Sequence, residues 1–122
     1  MFLLINKNND ELIANNVRLA SSWSTRLIGL LSYNHLSEGE GLWINPCKSI
    51  HTIGMRFNID VIFLDSSLVI KKIINTVKPF RICRATKTST SVVELPAGTL
   101  STIKLVVGDK LIVLPKRVLN KD

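Results

Sequence analysis

His51, Met55, Arg56 and Asp60 fall within one short stretch, Ser49-Ile50-His51-Thr52-Ile53-Gly54-Met55-Arg56-Phe57-Asn58-Ile59-Asp60-Val61-Ile62-Phe63-Leu64-Asp65. Histidine changes charge near neutral pH, so His51 is the natural general acid or base. With Asp60 orienting it, His51 is able to activate water or a hydroxyl. A lone histidine is, however, more often a hydrogen-bonded surface or core residue. Arg56 offers a planar fork for a carboxylate or phosphate and is the best single argument for an anionic small ligand. Gly54 permits a left-handed backbone, so a sharp turn there presents Met55 and Arg56. The plain alternative is a bulge that redirects the strand. Met55 packs adaptably, against a ligand or against an aromatic ring such as Trp43.

Asp60 enters the strongest apolar run of the chain. An unpaired charge there is prohibitively costly, so Asp60 needs a partner, and Arg56 or Arg26 is expected to supply it. The structural version of this reading is an internal ion pair that locks a helix to the sheet. Glu94 stands between Val93 and Leu95, and strand alternation puts it on the face opposite to theirs. If that face is concave, Glu94 joins His51, Arg56 and Asp60 in a polar cluster; if it faces water, it is ordinary. The candidate ligand-binding set is therefore His51, Met55, Arg56, Asp60, Trp43 and Glu94. Cys47 and His51 have a C-x-x-x-H spacing and Cys83 is a conceivable third ligand, but a fourth is missing, so no metal and no cofactor is expected. The two cysteines are read as free, partly buried thiols. Asp109, after Gly108, is read as a turn residue holding backbone amides through its side chain.

These residues must be positioned by a chain of 122 residues, 46% of them hydrophobic, a size and composition that suit one globular domain, 1–122. Phe2–Ile5 and Leu12–Ala20 flank the polar turn Asn6–Asp10 and read as a β-hairpin. Ser21-Ser22 are able to cap a short helix near residues 22–31, in which Trp23, Leu27, Leu30 and Leu31 make an apolar stripe. Gly29 costs about 1 kcal/mol within a helix and signals close packing or an early end. Beyond it the pattern is β: Gly41–Ile44 stopped by Asn45-Pro46, then Ile59–Leu64, Leu68–Thr76, Ser91–Leu95 and Lys110–Leu114. Arg81–Thr90 reads as a loop, and Thr99–Lys104 as one helical turn capped by Thr99. The fold class expected is mainly β, a small antiparallel sandwich or partly closed barrel (jelly-roll-like) with one short α-helix.

Charge is uneven. The net charge is +7, and residues 66–90 hold Lys71, Lys72, Lys78, Arg81, Arg84 and Lys87 without a single acid. Such an excess attracts polyanions or anionic surfaces. Nucleic acid is disfavoured as partner, because Phe80 is the one aromatic there able to stack on a base. No apolar run reaches the ~18 residues of a membrane span. Met1-Phe2-Leu3-Leu4-Ile5 is cut short by Asn6–Glu11 with no basic region before it, and is read as the first strand of a mature cytoplasmic protein.

Several marks follow one another in a fixed order from about residue 17 to 114. They are Arg26 through Gly29-Leu30-Leu31, Gly41-Leu42-Trp43, His51 to Arg56, Ile59 to Asp65, Val93-Glu94-Leu95-Pro96-Ala97-Gly98, and Gly108-Asp109. Together they resemble the uncharacterised domain of unknown function 192 family. The resemblance implies a small, mostly β, sandwich-like domain with a short helix, and no established activity, cofactor or partner. Many members resemble exported proteins with an N-terminal signal, from which this chain departs. The family's pattern does not demand cysteine at position 47, which argues against a Cys47–His51 nucleophile. With no nucleophile motif, phosphate loop or spaced carboxylate pair, the sequence leans away from an enzyme. The reading is a non-catalytic module, monomer or small homo-oligomer, for a small anionic or sugar-like ligand or a protein partner. The alternative is a hydrolase-like enzyme using His51 with Asp60 or Glu94. A lower alternative is weak nucleic-acid or acidic-surface binding through the basic 71–87 stretch.

Overall fold

A computed structural model of the chain describes residues 1–22, 25–26, 29–30 and 33–116. The strands are β1 (Phe2–Asn6), β2 (Glu11–Ala20), β3 (Glu40–Ile44), β4 (Ser49–His51), β5 (Ile59–Leu64), β6 (Ile70–Val77), β7 (Ile82–Arg84), β8 (Ser91–Pro96) and β9 (Leu111–Pro115). A short helix, α1 (Thr99–Thr102), lies between β8 and β9. Seven strands form one sheet in the order β6-β5-β8-β3-β2-β1-β9, while β4 and β7 pair as a separate ribbon.

The first hairpin forms as expected, with Ile5 opposite Leu12 and Asn6 opposite Glu11. Asn6, fully buried, holds the turn by accepting from the Asn8 amide and donating to Asp109. The sheet is not wholly antiparallel. β2 and β3 run parallel, Asn16 opposite Glu40 through Ala20 opposite Ile44. A parallel neighbour requires a long crossover, and residues 21–39 provide it. In that crossover Ser22 Oγ accepts from the Thr25 amide at 3.2 Å, and the Arg26 and Gly29 amides bond the carbonyls four residues back. Gly29 then takes a φ of 53°, the left-handed value at which helices end. Of the expected apolar stripe, Leu30 is buried; Trp23, Leu27 and Leu31 lie outside the described residues.

The sheet curls into a partly closed barrel. At the seam between its edge strands, Val69 and Lys110 form a β-bridge, flanked by Ile70 N to Asp109 O and Leu111 N to Leu68 O, each 2.9 Å. Alternation divides the apolar side chains between two clusters. The inner one joins Leu4, Val17, Ile62, Leu64, Ile70, Val93, Leu95 and Leu111, drawn from both edges of the sheet, with Leu100 of α1. The outer one joins Leu42, Ile44, Val61, Phe63 and Val92 to Leu30, Ile50, Met55 and Cys83. Tyr33 and Leu36 of the crossover also pack on it.

Two local expectations need correction. Arg81–Thr90 is not simply a loop, because Ile82–Arg84 pairs with Ser49–His51 and sinks Cys83 into the outer cluster. Its basic composition hides a three-residue strand with Cys83 inward and Ile82 and Arg84 outward. Thr99 does not cap α1. The residue before the helix is Gly98, at φ 94°, and the first-turn amide of Leu100 is taken by Asp60. No helix among the described residues is long and apolar enough to cross a membrane.

Candidate functional site

The pairing β5–β8 places Asp60 opposite Leu95 and Val61 opposite Glu94. Adjacent positions on a strand point to opposite faces. Asp60 therefore turns toward the inner cluster and Glu94 toward the outer one, and the two carboxylates cannot act on one ligand. The expected cluster of His51, Arg56, Asp60 and Glu94 is divided by the sheet itself.

Asp60 is almost completely buried, and both carboxylate oxygens are used. Oδ1 accepts from the Thr76 amide at 2.8 Å. Oδ2 accepts from the amides of Gly98, 3.1 Å, and Leu100, 2.9 Å. The expected arginine partner is replaced by three backbone donors, which come from β6 and the start of α1. A buried acid can be satisfied by amides as well as by a cation, and sequence spacing does not distinguish the two. The candidate arginines bond elsewhere. Arg56 Nη1 donates to Asn34 Oδ1 at 2.6 Å, and Arg26 Nη1 to the Pro46 carbonyl at 3.1 Å.

Glu94 is 3% exposed, and its Oε1 has no hydrogen-bond partner among the described residues. Its neighbours on the outer face are apolar, with Leu42 and Val61 directly opposite it on the adjacent strands. Burial without a partner penalises the charged form and pushes this carboxyl up to about 7. Arg26 Nε is likewise buried, with no hydrogen-bond partner among the described residues. Gly29 packs close to this carboxyl, since a Cβ built there would lie 3.9 Å from Oε1, an ordinary contact distance. Cys47 lies within the field of both charged groups. Burial pushes its thiol up, Glu94 adds to the rise, and Arg26 opposes it. Cys83 is raised in the same way by burial. Both thiols are free and held protonated, which does not suit a nucleophile.

The remaining candidates are dispersed. Met55 is buried in the outer cluster, below Gly54 at φ 88°. Trp43 packs on the inner cluster, edge-on to Phe2 with ring centroids 6.2 Å apart, so it cannot be the aromatic that meets Met55. His51 is exposed on β4, opposite Ile82. Arg56 is exposed. Sequence reasoning passed over Arg26 as a site residue and also Thr52, which is fully buried and ties the ribbon to the loop before it. Thr52 Oγ1 donates to the Lys78 carbonyl at 2.6 Å and accepts from the Arg81 amide at 2.8 Å.

A profile of domain of unknown function 192 (DUF192, Uncharacterized ACR) matches residues 4–113. The chain belongs to the DUF192 family. Its relatives include UPF0127 proteins of Pyrococcus abyssi, 32% identical over 91% of this chain and 97% of that protein, and of Pyrococcus horikoshii, 31% identical over 89% and 96%. The fold matches a crystal structure of a protein of unknown function from Novosphingobium aromaticivorans. That match has a TM-score of 0.77 at 17% identity, over 91% of this chain and 82% of that one. A candidate transcription regulator from Sinorhizobium meliloti superposes with a TM-score of 0.76 at 22% identity, over 92% and 91%.

Two surface cavities of this DUF192 fold have none of the six candidates in their lining. One, of about 590 Å³, is bounded by Leu12–Asn15, Glu38, Gly39, Pro96–Thr99, Thr102 and Ile103. The other, of about 470 Å³, lies beside the ribbon and is lined by Lys48, Ser49, Ile82, Arg84, Ala85, Thr86 and Lys87. Among the described residues no group of three or more His, Cys, Asp or Glu side chains is arranged to hold a metal ion.

Proposed function

We propose that this protein is a non-catalytic binding module whose ligand sits on the outer face of the barrel, with Glu94 as its polar anchor. The observation that carries the reading is the unpartnered Oε1 of a carboxyl buried among apolar side chains. Such a group costs free energy unless something bonds it, and a ligand is the natural partner. With its carboxyl near 7, Glu94 is able to accept from or donate to a ligand hydroxyl. Arg26 Nε supplies a second, donating point, and Met55 an adaptable apolar wall. The class that fits is a small sugar-like or carboxylate-bearing molecule. His51 and Arg56 are assigned to the rim, and Asp60 and Trp43 to the framework.

The test is a thermal-shift and native mass-spectrometry panel of monosaccharides, sugar acids and short carboxylates. At least one class is expected to raise the melting temperature of the wild type and to leave Glu94→Ala unmoved. A panel without any shift in the wild type would sink the reading. Conversion of a bound compound to product would transfer it to the hydrolase-like alternative, with Glu94 as the acid or base.

A further inference from the structure

The β4–β7 ribbon has two unlike sides. Ile50 and Cys83 face inward, opposite each other in the pairing, and are buried. The outward pairs are Ser49 with Arg84 and His51 with Ile82. Just beyond them the chain is drawn together by Thr52, whose backbone bonds Phe80 N and Arg81 O. Ile53 and Phe80 are thereby brought beside Ile82. All three are exposed, 50% for Ile53, 69% for Phe80 and 67% for Ile82. Phe80 holds a φ of 64°, which a bulky side chain adopts at a cost, so an aromatic ring is kept in solvent by a strained backbone.

Cations surround this apolar tip. Lys48, Arg56, Lys78, Arg81, Arg84 and Lys87 are all exposed, and the sequence has no acid between Glu40 and Asp60 or between Asp65 and Glu94. Lys48, Arg84 and Lys87 also line the 470 Å³ cavity next to the ribbon, with the Ser49 and Thr86 side chains.

We propose that the ribbon tip docks on an anionic lipid bilayer, with Ile53, Phe80 and Ile82 entering the headgroup–acyl boundary and the surrounding lysines and arginines holding lipid phosphates. Apolar side chains framed by basic ones match that boundary layer by layer, the apolar tip in the acyl region and the charge at the headgroups. Single-stranded nucleic acid is the weaker fit, because Ile53 and Ile82 have no π-face and only Phe80 and the smaller His51 ring, among the described residues of the patch, are able to stack.

The experiment is co-sedimentation of the full chain with vesicles of phosphatidylcholine alone and of phosphatidylcholine mixed with phosphatidylserine. The wild type is expected to bind only the anionic vesicles, and less as salt rises. Phe80→Gly relieves the positive φ, so its melting temperature should not fall, while its partitioning drops about tenfold. Arg84→Glu with Lys87→Glu should lose about fivefold or more for each charge. Absence of wild-type binding at low salt overturns the proposal. So does a Phe80→Gly variant that binds as the wild type does, or tighter binding to a single-stranded oligonucleotide than to anionic vesicles.

Discussion

Asp60 and Glu94 lie on neighbouring strands, one position out of register, and both are buried. They differ in everything that matters for chemistry. On the inner face, Asp60 accepts three backbone hydrogen bonds and joins β6 and α1 to the barrel. On the outer face, Glu94 Oε1 has no hydrogen-bond partner among the described residues, and burial pushes its carboxyl up to about 7. Burial alone does not decide whether a carboxylate is structural or available. What decides it is whether backbone donors are within reach, and these exist where a strand end meets a helix start but not in mid-sheet.

The largest effect expected from this contrast is at Asp60. Asp60→Ala would strand three buried amides and cost on the order of 4 kcal/mol in chemical denaturation. A loss below about 1 kcal/mol would mean that those amides find other partners and that the contrast is false. Glu94→Gln should act in the opposite direction. The folded value of about 7 lies above the ordinary 4.5, so the folded chain favours the protonated acid. The burial cost is therefore absent below the ordinary value, grows as pH rises, and is complete above the folded one. It amounts to roughly 3 kcal/mol. Glu94→Gln should stabilise by about that much at pH 8 and flatten the decline between the two values. An unchanged pH profile would show that Glu94 is paired after all.

A smaller change tests how closely Gly29 packs on Glu94. Gly29→Ala should cost roughly 1–2 kcal/mol, because alanine is strained at φ 53° while its Cβ meets Oε1 only at ordinary contact distance, 3.9 Å. A much larger loss would show that Gly29 and Glu94 pack too tightly to admit a methyl group. The smallest effect belongs to a third carboxylate, Asp65, 3.7 Å from Lys71 in a partly exposed pair. Lys71→Ala should change stability by less than about 1 kcal/mol, measured by denaturation at low and high salt.

Much of the fold was legible because strand periodicity and turn residues are local signals. Ile59–Leu64, the hairpin around Asn6–Asp10 and the stop at Asn45-Pro46 needed no partner to be recognised. Asp109 also read correctly as a turn residue, since its side chain accepts the Val106 amide three positions back. The ribbon strand Ile82–Arg84 escaped notice because three residues are too few to carry a periodicity of their own. The parallel step from β2 to β3 escaped for another reason: strand direction follows from how the crossover packs, not from either strand's composition.

The candidate site shows the same division. The sequence by itself determined that Asp60 and Glu94 fall within apolar runs, that Gly54 stands at a turn, and that basic residues gather between β5 and β8. Alternation along β8 also set Glu94 apart from Val93 and Leu95. Only the tertiary structure decided which carboxylate meets which face. That choice depends on the register between β5 and β8, and a shift of one residue would exchange the two faces. It also decided that Asp60 finds amides rather than arginine, because those donors come from residues 16 to 40 positions away that only folding brings near.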